Sequence, residues 1–196
     1  MDADQVAGGE TSLLLLRRIQ SGDDAAWEPL YRRYRDQLLL SIRCRLGPKL
    51  RSRLESEDIL HSMFREALSD LHRFEPVSPN ALNRYLHTCV LNKIRSKADY
   101  YGALKRKGEI PLTDSVADNT PARPGVGYHD RTRYESLERA LARLPATMRE
   151  VLLLRRIEDL SNEEAAEVLG KSPDATSKLY NRALARLAVQ LQGSPP

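Results

Sequence analysis

Chemistry is densest in the last fifth of the chain, in LSNEEAAEVLGKSPDATSKLYNRALARLAVQLQ, residues 160–192. At about 100° per residue, Asp174, Ser177, Lys178, Asn181 and Arg182 share one side of a helix beginning at Pro173. Ala175, Thr176, Leu179, Ala183 and Leu187 share the other. Amide and hydroxyl groups can meet base edges in a major groove, and cations can meet phosphates. Lys171 and Arg186 flank that side and suit the DNA backbone. A polar helix face alone is usually a solvated one, so the frame around it matters. Ser161 and Glu164 form a capping box. Gly170 ends the short helix between them and the turn, because glycine adopts the left-handed conformation without steric cost. Ser172 then caps the next helix, with Pro173 at its first position. Two helices with about three residues between them have the shape of a helix-turn-helix. Thr176 and Lys171 stand where apolar residues are expected.

A second polar stripe lies upstream. Arg84, Thr88, Asn92 and Arg95 follow one another at helical steps, opposite Leu82, Tyr85, Leu86, Cys89, Val90 and Ile94. Ser78-Pro79 reads as the start of that helix. Lys93 falls among the apolar positions, where its stem packs and its ammonium snorkels. Before it, His72 to Asn80 reads as a loop. A helix over residues 56–74 precedes the loop, capped by Ser56, with Ile59, Leu60, Met63, Phe64, Ala67, Leu68 and Leu71 inward. Glu57 and Asp58 sit in its first turn, where the helix dipole favours negative charge. No Gly-rich phosphate loop, metal-ligand spacing or nucleophile-base pair is present, so neither enzyme, cofactor nor metal is expected. Cys44 and Cys89 form no CxxC and read as thiols in a reducing cytoplasm.

These stripes need scaffolds. Leu, Ala and Arg dominate, and only 6% of residues are aromatic, which favours an all-α chain. Residues 1–10 read as a disordered tail. Thr11 or Ser12 caps a helix through Gln20, stopped at Ser21-Gly22. Asp23 or Asp24 starts a longer one with the stripe Trp27, Leu30, Tyr31, Tyr34, Leu38 and Ile42, ended by Gly47-Pro48. Lys49 to Leu54 reads as a short helical turn. From Gly108 the periodicity dies in GEIPLTDSVADNTPARPGVGYHD, a linker with Glu109, Asp114 and Asp118 in its first half. Periodicity resumes at Tyr134. Leu137, Leu141 and Leu144 mark a helix ended by Pro145, and Met148, Val151, Leu152 and Ile157 mark another. Net charge is only +4, but residues 28–53 carry eight Arg or Lys against Glu28 and Asp36. Such segregation suggests nucleic acid or a large charged partner. Leu13 to Leu16 is too short to span a membrane or act as a signal, so no membrane insertion and a cytoplasmic location are expected.

Taken together, GDDAAWEPLYRRYRDQLL, SEDILHSMFREAL and LNRYLHTCVLNKIRSKA resemble the successive helices of domain two of the bacterial extracytoplasmic-function (ECF) sigma factors of RNA polymerase. LPATMREVLLLRRIEDLSNEEAAEVLGKSPDATSKLYNRALARL resembles their domain four. The resemblance implies two small helical domains joined by a flexible linker, with residues 11–107 as domain two, 108–133 as linker and 134–192 as domain four. It implies a protein that binds core RNA polymerase and directs promoter recognition rather than an enzyme. Glu57, Asp58, His61 and Ser62 would meet the clamp coiled coil of the largest polymerase subunit; the family usually has glutamine and an acid where His61 and Ser62 stand. Arg73, Asn80, Arg84, Thr88, Asn92 and Arg95 would meet the −10 element, captured as unpaired bases. Lys171, Asp174, Ser177, Lys178, Asn181, Arg182 and Arg186 would meet the −35 element as duplex. The acidic half of the linker would pass through polymerase toward the RNA path. An anti-sigma partner is an expectation from the family alone. Two other readings compete. A stand-alone helix-turn-helix regulator explains residues 160–192 but not the upstream stripe, and a helical scaffold treats both stripes as solvent-facing.

Overall fold

The computed structural model describes residues 11–46, 50, 54–78, 80–106 and 128–192. Every regular element among them is helical: α1 (Ser12–Gln20), α2 (Trp27–Arg45), α3 (Ser56–Leu71), α4 (Ala81–Arg106), α5 (Tyr128–Ala142), α6 (Ala146–Leu152), α7 (Asn162–Leu169) and α8 (Pro173–Gln192). Residues 1–10 and the acidic stretch of 108–127 lie outside the described residues, as do most of 49–54. Helical backbone resumes at Tyr128, six residues before apolar periodicity does, so the linker expected through residue 133 overlaps α5.

Local signals account for most helix ends. The Thr11 hydroxyl accepts from Leu14 N–H and starts α1. Asp23 accepts from Ala25 N–H and opens a 3-10 turn, Asp24–Ala26, that leads into α2. Ser56 does not cap α3. It is the first helical residue, while Glu55 holds the cap position without a side-chain bond, so the acids at 57 and 58 support that end through the dipole instead. α3 also stops at Leu71 rather than at Phe74, and α4 begins at Ala81; Pro79 lies outside the described residues.

Two apolar cores result. Leu15, Leu16 and Ile19 of α1, Leu30, Leu38 and Ile42 of α2, Ile59, Leu60 and Met63 of α3 and Leu82, Leu86 and Val90 of α4 build the first. Leu141 and Leu144, Val151 to Leu153, and Leu179 and Ala183 of α8 build the second. Leu40 and Cys44 of α2 belong to this second core. α2 is therefore buried on two sides, whereas its sequence stripe accounts for one. Leu40 and Cys44 carry the second side, but nothing local says that their partner lies a hundred residues downstream.

The arginines of α2 follow the same logic. Arg32 pairs with Glu28, and Arg35 with Asp36 and Glu57, while Arg43 reaches Glu138 of α5 at 3.5 Å. Arg45 Nη2 lies 2.7 Å from Glu150 and 2.5 Å from Glu158. Among the described residues of the basic block expected to meet an external partner, most are thus answered within the chain, while Lys49, Arg51 and Arg53 lie outside the described residues. Arg45 and Glu158 side chains are only 8% and 4% exposed, so removing the cation strands a buried carboxylate. Arg45→Met should cost about 3–5 kcal/mol, as loss of one partner from a buried ion pair does. Chemical denaturation, followed by helical circular dichroism, measures it.

Candidate nucleic-acid interface

The last two helices are held as the sequence suggests. Ser161 Oγ accepts from Glu164 N–H and Glu164 Oε2 accepts from Ser161 N–H, completing the capping box. Gly170 has φ +61°, and Lys171 N–H bonds back to Ala166 O, which closes the end of α7. Ser172 Oγ accepts from Ala175 N–H at the start of α8. Asn162 Nδ2 donates to Pro173 O at 3.0 Å and ties the two helix starts together. The guanidinium groups of Arg155 and Arg156 lie 5.4 and 5.9 Å from the Tyr180 ring centre, bracing α8 from below. Asn162 and Tyr180 escaped the sequence reading, because neither lies on the stripe that defined the motif.

Lys171, Asp174, Ser177, Lys178, Asn181, Arg182 and Arg186 are all exposed on α8 and the turn before it. Thr176 is fully buried with Leu179 and Ala183, and its hydroxyl has no hydrogen-bond partner. Ala175 departs from expectation. It is exposed rather than inward, so the buried side of α8 is narrower than the sequence stripe.

The upstream stripe is divided. Thr88, Asn92 and Arg95 are exposed on α4, and Arg73 is exposed in the turn after α3. Asn80 and Arg84 are half-buried and already engaged. Asn80 Nδ2 donates to Asp159 Oδ2 at 2.6 Å, and Arg84 pairs with Glu164. Asp159 holds a left-handed φ of +60°, which aspartate tolerates better than most residues. Next to them, Asn83 accepts from Gln37 and donates to Ile157 O, a further bond between the two halves. The stripe read as open on α4 is therefore closed at its N-terminal end by α7 and the turn before it. Lys93 pairs with Glu66, as a snorkelling lysine should.

On α3, Asp58 and His61 are exposed and Ser62 is half-buried. Glu57 is 2.5 Å from Arg35, so it has a structural partner besides the helix dipole. The His61 ring lies 5.9 Å from that of Tyr31.

Electrostatics between the halves centre on His87. Its side chain is 1% exposed, neither ring nitrogen has a hydrogen-bond partner, and Nδ1 lies 3.9 Å from Glu158. Burial first, and then the Arg45 charge, push its pKa down to about 3. Glu164 shifts the other way in effect. The Ser161 N–H above all, with Arg84 beside it, holds its carboxyl below the usual range and keeps it charged.

Comparisons with known proteins agree with this geometry. The family model for sigma-70 region 4 matches residues 134–187. CnrH of Cupriavidus metallidurans, an RNA polymerase sigma factor, is 28% identical over 185 residues, 91% of this chain and 93% of CnrH. The ECF RNA polymerase sigma factor EcfG of Rhodopseudomonas palustris is 31% identical over 137 residues, covering 69% of this chain and 71% of EcfG. The chain belongs to the ECF sigma factors of RNA polymerase. It binds core polymerase and directs transcription initiation at promoters. The solved structure of CnrH in complex with the cytosolic domain of CnrY shares the fold, with a TM-score of 0.52 and 24% identity over 99% of this chain and all of that one. Matches that run through both halves disfavour a stand-alone helix-turn-helix regulator. No helix among the described residues of the sigma factor is long and apolar enough to cross a membrane.

His87 gives this interface a pH dependence. Its folded pKa lies below the unfolded value of 6.5, so the unfolded chain takes up the proton first. Stability is full above the unfolded value and falls as pH drops toward 3. Between pH 7 and 5 this one group should cost about 2 kcal/mol. Glu158, raised by burial against the pull of Arg45, works in the opposite direction. The difference between the sigma factor and its His87→Leu variant isolates the histidine: the variant's unfolding free energy should fall less over that interval.

Proposed function

We propose that this sigma factor divides its work among three surfaces. Domain two spans 11–107 and domain four 134–192, with 108–133 between them. Glu57, Asp58, His61 and Ser62 on α3 meet the clamp coiled coil of polymerase. Arg73 and Asn80 around the loop, with Arg84, Thr88, Asn92 and Arg95 on α4, take the −10 strand. Asp174, Ser177, Lys178, Asn181 and Arg182 face the −35 duplex, while Lys171 and Arg186 lie along its backbone. The observation that carries the reading is the exposed polar face of α8, whose other side is buried and whose start follows α7, a helix bounded by a completed capping box and a left-handed Gly170. The sigma factor acts without chemistry of its own and works in the cytoplasm. A protein partner for the free form is proposed by analogy with CnrH, solved with the cytosolic domain of CnrY.

The free chain, in this reading, rests closed. Asn80 and Arg84 cannot hold Asp159 and Glu164 and also a DNA strand, so −10 capture requires α7 to leave α4. The −35 face needs no such release.

Asn181→Ala and Arg182→Ala should each weaken −35-dependent initiation by the equivalent of about 1–3 kcal/mol, the range for a base contact. Transcription in vitro from a promoter selected by the unaltered sigma factor, scored against the same promoter with a scrambled −35, measures it. Core binding should not change; full activity in both variants would defeat the reading.

Opening has its own test. Glu164→Gln keeps the capping box, since glutamine serves equally at that position. Combined with Asp159→Asn it removes both acidic partners of the α4 end. Binding of a single-stranded −10 oligonucleotide to the free chain should tighten about twofold to fivefold, as loss of one exposed ion pair and of the charge on one hydrogen bond allows.

A further inference from the structure

We propose that Gln20, the last residue of α1, is a positioning residue for −10 recognition. Its side-chain amide donates to Leu71 O at 3.1 Å and to Phe74 O at 2.8 Å. Those carbonyls bracket Arg73, the first residue past α3 assigned to the promoter. A carboxamide nitrogen has two hydrogens, and here each has a carbonyl. Leu71 is fully buried in the first core, so one arm of the clamp is anchored.

The second arm is restrained by rings. The Phe74 ring lies 4.9 Å from that of Tyr85 of α4, tilted by 37°, and His72 meets Trp27 of α2 edge-on at 6.2 Å. Helix ends leave carbonyls without intrahelical partners, and the chain's exit direction depends on what satisfies them. At the end of α3 Leu71 O takes the Phe74 N–H at 3.3 Å, and Gln20 from a different helix adds a second donor to it and a donor to Phe74 O. Fixing the carbonyls of residues 71 and 74 together fixes the peptide units between them, and with them the direction in which Arg73 leaves the backbone. Gln20 itself lies on α1 and is not one of the residues assigned to DNA or polymerase.

This role rests on the reading of the loop as a −10 contact. The test uses the full chain with core polymerase and a promoter library randomised at −10, selected first with the unaltered sigma factor. Gln20→Ala should lower initiation at the preferred −10 about fivefold to tenfold, the worth of roughly one net hydrogen bond, and flatten discrimination among −10 sequences. Gln20→Glu should do worse, because a carboxylate donates nothing and faces two carbonyls at a helix C-terminus. Gln20→Lys, which restores a donor and suits that dipole, should recover most of the loss. Core affinity should stay close to that of the unaltered protein throughout, and any loss of thermal stability should leave every variant fully folded at the assay temperature; a merely structural role would lower initiation alike on all −10 sequences and leave their ranking unchanged.

Arg73→Ala and Asn80→Ala are run beside them. Impaired −10 discrimination in these two with none in Gln20→Ala and Gln20→Glu overturns the clamp alone. Unchanged discrimination in all four overturns the loop's contact with DNA and the clamp with it.

Discussion

α2 is the one helix that neither half of the molecule can do without. Its Leu30, Leu38 and Ile42 complete the first core, and its Leu40 and Cys44 complete the second. A helix apolar on one stripe leaves its other side to water, but one apolar on two must be covered twice. Arg45 sits at the end of the second stripe, nearly buried, and its charge is balanced by Glu150 and Glu158 from the C-terminal half. Hydrophobic burial brings the halves together without direction. The guanidinium sets their register, because a buried cation tolerates only the arrangement that supplies its carboxylates.

Around this fixed centre the contacts weaken outward. His87 and Glu158 are buried beside Arg45, while the Asn80–Asp159 and Arg84–Glu164 contacts lie at the rim. Exposed pairs contribute little each and are exchanged readily for water or for another anion. A nucleic-acid strand offers such anions. The rim is therefore the part of the closed arrangement that a DNA competitor can displace first, whereas the Arg45 cluster gives way only if the halves separate as bodies. Glu164 joins the two scales. It is fixed in place by its own helix start, so it presents a preset negative charge to Arg84 without the entropy a free side chain would lose.

How much was readable from the chain depends on how local the cause was. The capping box at Ser161 and Glu164, the glycine at 170 and the Ser-Pro start at 172–173 act within four residues, and each is found where the sequence places it. The inward sides of α3 and α4 follow from periodicity in the same way. Errors arose where two residues compete for one local role or where the cause is distant. Ser56 has the chemistry of a cap, yet the helix starts one residue earlier in the turn, so Glu55 takes the position. Ala175 is apolar and falls at the edge of a stripe, but small residues at an edge need no burial. The second face of α2, the acidic partners of Arg43 and Arg45, and the bond from Asn80 to Asp159 depend on segments far apart in sequence, and no pattern within either segment encodes the other.

The two proposed reading faces differ in what must be removed before each can work. Ser177, Lys178, Asn181 and Arg182 stand in solvent, and Arg182 Nε is bonded only to Lys178 O one turn back, so a duplex displaces no other element to reach them. Arg84 and Asn80 have partners that a strand must replace, and a replaced partner is subtracted from the gain in binding. The asymmetry follows from burial rather than from sequence: α8 uses its Leu179 side to join the second core and leaves its polar side outward, whereas α4 must satisfy the first core on one side and the approach of α7 on the other. Duplex recognition through α8, as proposed, is thus compatible with the closed arrangement of the described residues, and strand capture that uses Asn80 and Arg84 is not. A sigma factor built this way keeps partnered the end of α4 proposed above to take unpaired bases, which exist only after polymerase has begun to open the promoter.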